Sequence, residues 1–343
     1  MQPLIDNRRL WAVVLFVILL LLGVSLRWGV VGSYVYSNTA VTFLNKSHCD
    51  FSGSCLNDEL GTRLTRFFKK SLTLNTERRD EWRWLAIILR GSGQDEAALT
   101  AWQQADIVPG DLLWWGRQAF GAQQFDQALR WFDTAVQLQP NSSDGWYESG
   151  MAYLKLEDWQ AAASAFQQSV AMDNFHTVPK SSGFYRLGLI FHRYPALRQP
   201  DSAFAAYDAA LYWDDFRNFQ DKADSYYGRA DLYRENGRFE EAVSDYQQAI
   251  SINPQHEWAY LGLALAQYAM DGNLNQAEHI LGQGISIWPE GLSKKWPYRS
   301  LGELYQQAGQ TGAAIDAFQQ ALEYDPDDAS VRAQLNAILD ENP

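Results

Sequence analysis

The residues that could carry covalent or metal chemistry are few and scattered. His176, His192, His256 and His279 stand far apart in sequence. His256-Glu257 lacks the second histidine, four positions after the first, that a zinc-hydrolase helix requires. No Gly-Lys-Ser/Thr phosphate loop and no Gly-x-Ser-x-Gly elbow occurs. Gly91-Ser92-Gly93 falls where a turn between two helices is needed, and no strand precedes it, so it does not read as a nucleotide cradle. The acid pairs Asp214-Asp215 and Asp327-Asp328 fall at helix ends and in loops, where capping and solvation account for them. Cys49 and Cys55 lie beside His48, but their five-residue separation is not the spacing that structural zinc favours. A pair of cysteines in a short polar segment reads instead as a small disulfide loop. The sequence therefore points to no catalytic centre, no metal and no cofactor.

Recognition chemistry is better represented. Aromatic residues make up 14% of the 343-residue chain, far too much apolar surface for a disordered polymer. Their placement follows a repeat that begins near residue 79. Small residues recur at Ala86, Gly116, Gly150, Gly188, Ala230, Ala264 and Gly302. About twelve positions after each comes an alanine: Ala98, Ala128, Ala162, Ala203, Ala242, Ala277 and Ala314. Four residues further on stands a large apolar side chain: Trp102, Phe132, Phe166, Tyr207, Tyr246, Leu281 and Phe318. Pro140, Pro254, Pro289 and Pro326 close several of the units. The spacing predicts pairs of antiparallel helices that approach closely where the small residue faces the alanine, with the large side chain filling the next layer. A single pair cannot bury its apolar face, so neighbours must stack.

This pattern resembles the tetratricopeptide repeat family over residues 79–326. Trp146, Gly150, Tyr153, Ala162 and Phe166 match the family signature, and Tyr298, Leu301, Gly302, Tyr305, Ala314, Phe318, Ala321 and Pro326 match it almost completely. The resemblance implies an all-α solenoid of about seven helix-turn-helix repeats, closed by a polar capping helix at residues 327–343. The fourth unit carries three extra residues around Arg193–Pro200, and longer connectors lie at 173–181, 213–222 and 290–295. In this family the ligand usually lies along the concave face lined by the first helix of each pair. The matching positions here are Arg83, Arg117, Tyr147, Tyr185, Arg186, Tyr227, Trp258, Trp296 and Arg299. Tyr and Arg dominate binding hot spots because they offer large area and hydrogen bonding at small entropic cost. A protein segment is the leading expected ligand, and a glycan stacked on the aromatic rings is the alternative. The lysine-asparagine clamp with which the family captures terminal carboxylates is missing.

Ahead of the repeats, Leu10–Leu26 is a run of 17 residues without charge or proline, continued by Trp28, Val30 and Val31. It is long enough for a transmembrane helix, since 22 helical residues rise about 33 Å. A cleavable signal peptide, with Val31-Gly32-Ser33 as its cleavage site, is the shorter-run alternative. Arg8 and Arg9 precede the run, which places residues 1–9 in the cytoplasm, an anchor at 10–31, and the linker 32–78 with the repeats on the far side of the membrane. Within the linker, residues 57–72 predict an amphipathic helix with Leu60, Leu64, Phe67 and Phe68 on one side and Arg63, Arg66, Lys69 and Lys70 on the other. It either rests on anionic lipid or packs on the first repeat, and packing is preferred.

Net charge is -13, and it is unevenly divided. Residues 1–79 hold 10 Lys and Arg against 5 Asp and Glu, whereas the remainder holds 18 against 36. An acidic body of this kind excludes nucleic acid as a partner. The expectation is a single-pass, membrane-anchored scaffold, not an enzyme, in a membrane or envelope complex of bacterial type.

Overall fold

The structure is a computed structural model that describes residues 58–341 apart from 76, 93, 107, 173 and 174. The predicted span at 10–31 and the Cys49/Cys55 pair lie outside the described residues. No helix among the described residues is long and apolar enough to cross a membrane. These residues form sixteen α-helices and no strand.

The chain divides into two compact units. The described part of unit 1 runs from residue 58 to Pro140 and contains α1 (Asp58–Leu74), α2 (Arg79–Gly91), α3 (Asp95–Gln104), α4 (Pro109–Gly121) and α5 (Phe125–Leu138). Unit 2 begins at Asn141 and contains α6 (Ser143–Lys155), α7 (Trp159–Ala171), α8 (Lys180–Arg193), α9 (Pro200–Trp213), α10 (Phe219–Glu235) and α11 (Phe239–Ile252). It continues with α12 (Glu257–Asp271), α13 (Leu274–Ile287), α14 (Lys295–Gln307), α15 (Thr311–Tyr324) and α16 (Ala329–Glu341). From α2 to α15 the helices pack as seven consecutive pairs: two in unit 1 and five in unit 2.

The turn inside most pairs has one local solution. The residue two positions before the second helix adopts a left-handed backbone in five pairs, at Gln123, Glu157, Gly237, Gly272 and Gly309, with φ between 61° and 72°. Glycine occupies three of these places because it meets no Cβ clash there, while Gln123 and Glu157 carry a strain of about 1 kcal/mol. Ser142, Asp158, Asn218 and Asn273 cap their helices by accepting a backbone N–H. Each cap satisfies a donor that the first turn leaves open.

The core is the repeat pattern made physical. The seven second-helix alanines and the seven large side chains four residues after them are at most 1% exposed. One detail departs from the sequence reading, which placed the small residue against the alanine. The ring sits directly on the glycine instead: a Cβ built at Gly116 would come within 2.3 Å of Phe132, and at Gly150 within 2.8 Å of Phe166. An alanine facing a glycine would leave a gap, whereas a flat ring fills the space between the backbones and buries more apolar area.

The helix before the repeats packs on the first of them, as preferred from the sequence. In α1 the side chains of Leu64, Phe68, Ser71 and Leu72 are buried where the helix lies on α2, and Ser71 donates to the buried Glu81 carboxylate at 3.2 Å. At the other end, α16 lays Val331, Leu335 and Ile338 against Phe318 and Ala321.

Candidate protein-interaction face

In unit 2 the first helices of successive pairs, α8, α10, α12 and α14, pack side by side. Their residues are tied to one another in a ladder that crosses from repeat to repeat. Arg186 on α8 reaches Asp221 on α10 at 3.3 Å, and its guanidinium lies 4.7 Å from the ring of Tyr185. Burial works against the Arg186 charge, but Tyr147, Tyr185 and Asp221 around it raise its pKa. Asp221 is raised by burial, since one 3.3 Å contact with Arg186 does not offset the loss of water. Tyr185 donates to Asp224 at 3.0 Å. Asp224 also faces Nε2 of His256 at 3.1 Å. His256 accepts the N–H of Ala259 through Nδ1.

A second rung centres on Asp231, whose side chain is 8% exposed. It accepts from Arg193 at 2.9 Å, from Arg234 at 3.1 Å and from the Tyr246 hydroxyl at 2.7 Å. Burial alone would raise its pKa, but Arg234 and Arg193 together with the Tyr246 hydroxyl hold it below the usual carboxylate value. Arg193 also lies over Tyr227, 5.4 Å from the ring centroid, and donates to its hydroxyl at 3.1 Å. Tyr227 in turn stands 4.9 Å from the His256 ring.

The longer connectors belong to the same framework. Asp144 on α6 accepts the backbone N–H groups of His176, Thr177 and Val178, at 3.4, 2.8 and 3.1 Å. Arg217 donates to the carbonyls of His176 and Thr177. Asp215 accepts the N–H groups of Lys180 and Ser181 and so caps α8, a helix in another part of the sequence. Asp215 is thus used in capping, on the first helix of the pair it follows, while Asp214 pairs with Lys222; of the other acid pair, Asp328 caps α16 by accepting the N–H groups of Ser330 and Val331. Pro195–Leu197, inside the insertion, form a single 3₁₀ turn, closed where Gln199 donates to the Phe191 carbonyl.

At the far end of unit 2 the rings are more accessible. Trp258 on α12 packs edge to face on buried Trp288 at 4.8 Å and lies 6.5 Å from Trp296 on α14. Trp296 is 39% exposed, and Arg299, paired with Glu303 at 2.9 Å, lies 5.9 Å from its ring. Of the predicted residues, Tyr147, Arg186, Tyr227, Trp258, Trp296 and Arg299 are partly or well exposed. Tyr185 is 5% exposed and offers no surface. Arg83 and Arg117 stand on α2 and α4 of unit 1, both half-buried, Arg83 at 3.6 Å from Asp80.

Sequence reasoning missed Asp221, Asp224 and Asp231. Their spacing was a usable signal, because i, i+3 and i+10 fall on one stripe of α10, and Arg186 and Arg193, seven apart, form the matching stripe on α8. His192, 3% exposed and 3.8 Å from Glu235, is a further buried group. Burial, reinforced by Arg193, lowers its pKa against the smaller pull of Asp231 and Glu235. A histidine with a lowered folded pKa adds stability above its ordinary value, and that contribution is lost as pH falls through the value and below it. His192→Gln is therefore expected to flatten the stability profile between about pH 7 and pH 5, as read by thermal melts at each pH.

Among the described residues no group of His, Cys, Asp or Glu is arranged to hold a metal ion. A stack of paired helices with a cross-linked row of rings and guanidiniums defines the class: a helical-repeat scaffold. The chain contains tetratricopeptide repeats: residues 115–177 and 297–328 match sequence models of the tetratricopeptide repeat and residues 230–271 one described as a TPR repeat. Curated relatives are similar over parts of their length. The Protein CTR9 homolog of Arabidopsis thaliana is 23% identical over 317 residues, and Protein O-mannosyl-transferase TMTC1 of Homo sapiens is 34% identical over 105. These matches cover 80% and 30% of this chain but only 28% and 11% of those proteins. Among solved structures, PilW, a type IV pilus biogenesis factor, matches with a TM-score of 0.53 at 16% identity, covering 66% of this chain and 98% of its own. The Cut9-Hcn1 hetero-tetramer of the APC/C also matches with a TM-score of 0.53, at 14% identity over 81% of this chain and 52% of that one. These structures establish the fold.

Proposed function

We propose that the chain is a membrane-anchored scaffold whose repeats hold a protein segment along the row of first helices. The observation that carries this reading is the alignment of Arg186, Tyr227, Trp258, Trp296 and Arg299 on successive first helices of unit 2. Cross-repeat bonds hold the first two of them in place. Rings and guanidiniums fixed before binding lose little freedom when a partner arrives, which turns contact area into affinity. Tyr147 extends the row toward α6, and Arg83 and Arg117 offer the same chemistry on unit 1. Residues 10–31 supply the anchor, with the N-terminus in the cytoplasm and the repeats on the other side, and Cys49 and Cys55 close a disulfide loop between them. The partner is a subunit or assembly intermediate of a membrane or envelope complex, and the chain itself is not an enzyme.

The test is extraction in mild detergent with cross-linking, followed by identification of co-purifying proteins. Trp296→Ala combined with Arg299→Ala removes side chains from the accessible end of the row and leaves the core intact, which an unchanged melting temperature verifies. Recovery of the partner is expected to fall about tenfold or more. Undiminished recovery, or retention of the chain on isolated envelope polysaccharide with no protein partner captured, overturns the reading.

A further inference from the structure

The basic side of α1 faces away from the apolar packing that holds this helix. Its buried side chains, Leu64, Phe68, Ser71 and Leu72, occupy one side where the helix meets α2. At 100° per residue, Arg63, Arg66, Lys69 and Lys70 fall on the opposite side, and all four are exposed. Thr62 and Thr73, also exposed, lie on that surface, and exposed Leu74 borders it at the C-terminal end of the helix. The helix's two acids, Asp58 and Glu59, are confined to its first turn. The surface belongs to the one part of the chain whose charge is positive, against the acidic repeats that follow.

Its position along the chain selects the occupant. Residues 32–57 connect the apolar run at 10–31 to α1 and, even fully extended, span at most about 90 Å. A helix on such a tether meets the membrane surface far more often than any free partner does. We propose that the Arg63/Arg66/Lys69/Lys70 side of α1 docks on anionic lipid headgroups, a peripheral contact driven by charge that orients unit 1 against the membrane. The proposal rests on the anchored reading above. It also unites the two sequence alternatives for this helix, because the apolar side packs on protein while the basic side faces lipid. Each basic side chain near an anionic surface adds attraction that decays within a Debye length, so the contact must be salt-sensitive.

The full chain is reconstituted into vesicles of phosphatidylcholine alone or of phosphatidylcholine mixed with phosphatidylglycerol. Both are pulsed with a water-soluble amine-acylating reagent. Mass spectrometry reads the acylation of Lys69 and Lys70 relative to exposed Lys155 on α6. The ratio is expected to drop about fivefold or more in the anionic vesicles at low salt and to recover at high salt. Arg63→Gln with Arg66→Gln, both at exposed positions, should bring the low-salt ratio back toward its phosphatidylcholine value. Equal ratios in the two lipids, or protection that survives high salt, overturn the proposal. Flotation with phosphatidylcholine vesicles alone reads the anchor separately. A chain that fails to float can still be mixed with anionic vesicles, so failure of the anchor and failure of the α1 contact give different results.

Discussion

Replacing Asp231 with alanine is expected to destabilise unit 2 by about 2–3 kcal/mol, the cost of leaving partly buried donors without their charged acceptor. The substitution strips Arg193, Arg234 and Tyr246 of a shared acceptor at 2.7–3.1 Å. The first two would keep their charges in a partly buried place with nothing to balance them. Arg193→Ala should cost less, about 1–2 kcal/mol, because Asp231 would still have Arg234 and Tyr246. Urea titration of the full chain, followed by circular dichroism, checks both. The sign of the pH dependence follows from the lowered pKa of Asp231. Its contribution is present above the unfolded carboxylate value and is lost as pH falls through the folded one. Asp231→Asn should accordingly flatten the acid limb of the stability profile. A cost below about 1 kcal/mol for Asp231→Ala would mean that this cluster is an ornament of the surface rather than a fastening.

The second large effect concerns Tyr207, whose ring lies between two glycines on neighbouring first helices. A Cβ at Gly188, in the same repeat, would come within 2.7 Å of that ring, and one at Gly228, in the next repeat, within 2.4 Å. Gly228→Ala should therefore cost about 2 kcal/mol net, overpacking outweighing the better helix propensity of alanine. Tyr207→Leu in the same background should restore part of the loss by removing the ring the new methyl strikes. Gly282 provides the contrast. It sits inside α13 with nothing within 4 Å of a built Cβ, so Gly282→Ala should gain about 0.5–1 kcal/mol. Thermal melts of the three variants decide it, and equal effects at Gly228 and Gly282 would sink the steric account.

The repeat was legible because its signal is periodic and chemically blunt: small, then alanine, then ring, seven times over. What lay on the first helices was harder to read. Tyr and Arg at recognition-like positions looked like ligand contacts, yet Tyr185 points into a hydrogen bond with Asp224 and Arg186 closes onto Asp221. A side chain's neighbour in a stacked repeat lies some 35–40 residues away. Spacing within one helix shows which face a residue shares, but not which face of the next repeat meets it. Asp215 makes a related point, since it read as a capping acid but the N–H groups it accepts, those of Lys180 and Ser181, lie 35 and 34 residues earlier. His256 looked isolated until the fold placed it between Ala259 and Asp224.

The ladder between α8 and α10 has a consequence for how the repeats come apart. In a stacked array each unit is held by its own stability and by its coupling to nearest neighbours. Here the coupling between the fourth and fifth pairs includes the ion pairs of Arg186 and Arg193 and the ring of Tyr207 lodged on Gly228. Strong coupling lengthens the cooperative block, so these two pairs open together, as one foldon, rather than fraying one after the other. A partner lying across both pairs would then grip a single mechanical segment, and tension applied at one end of it would reach the other without being absorbed between them.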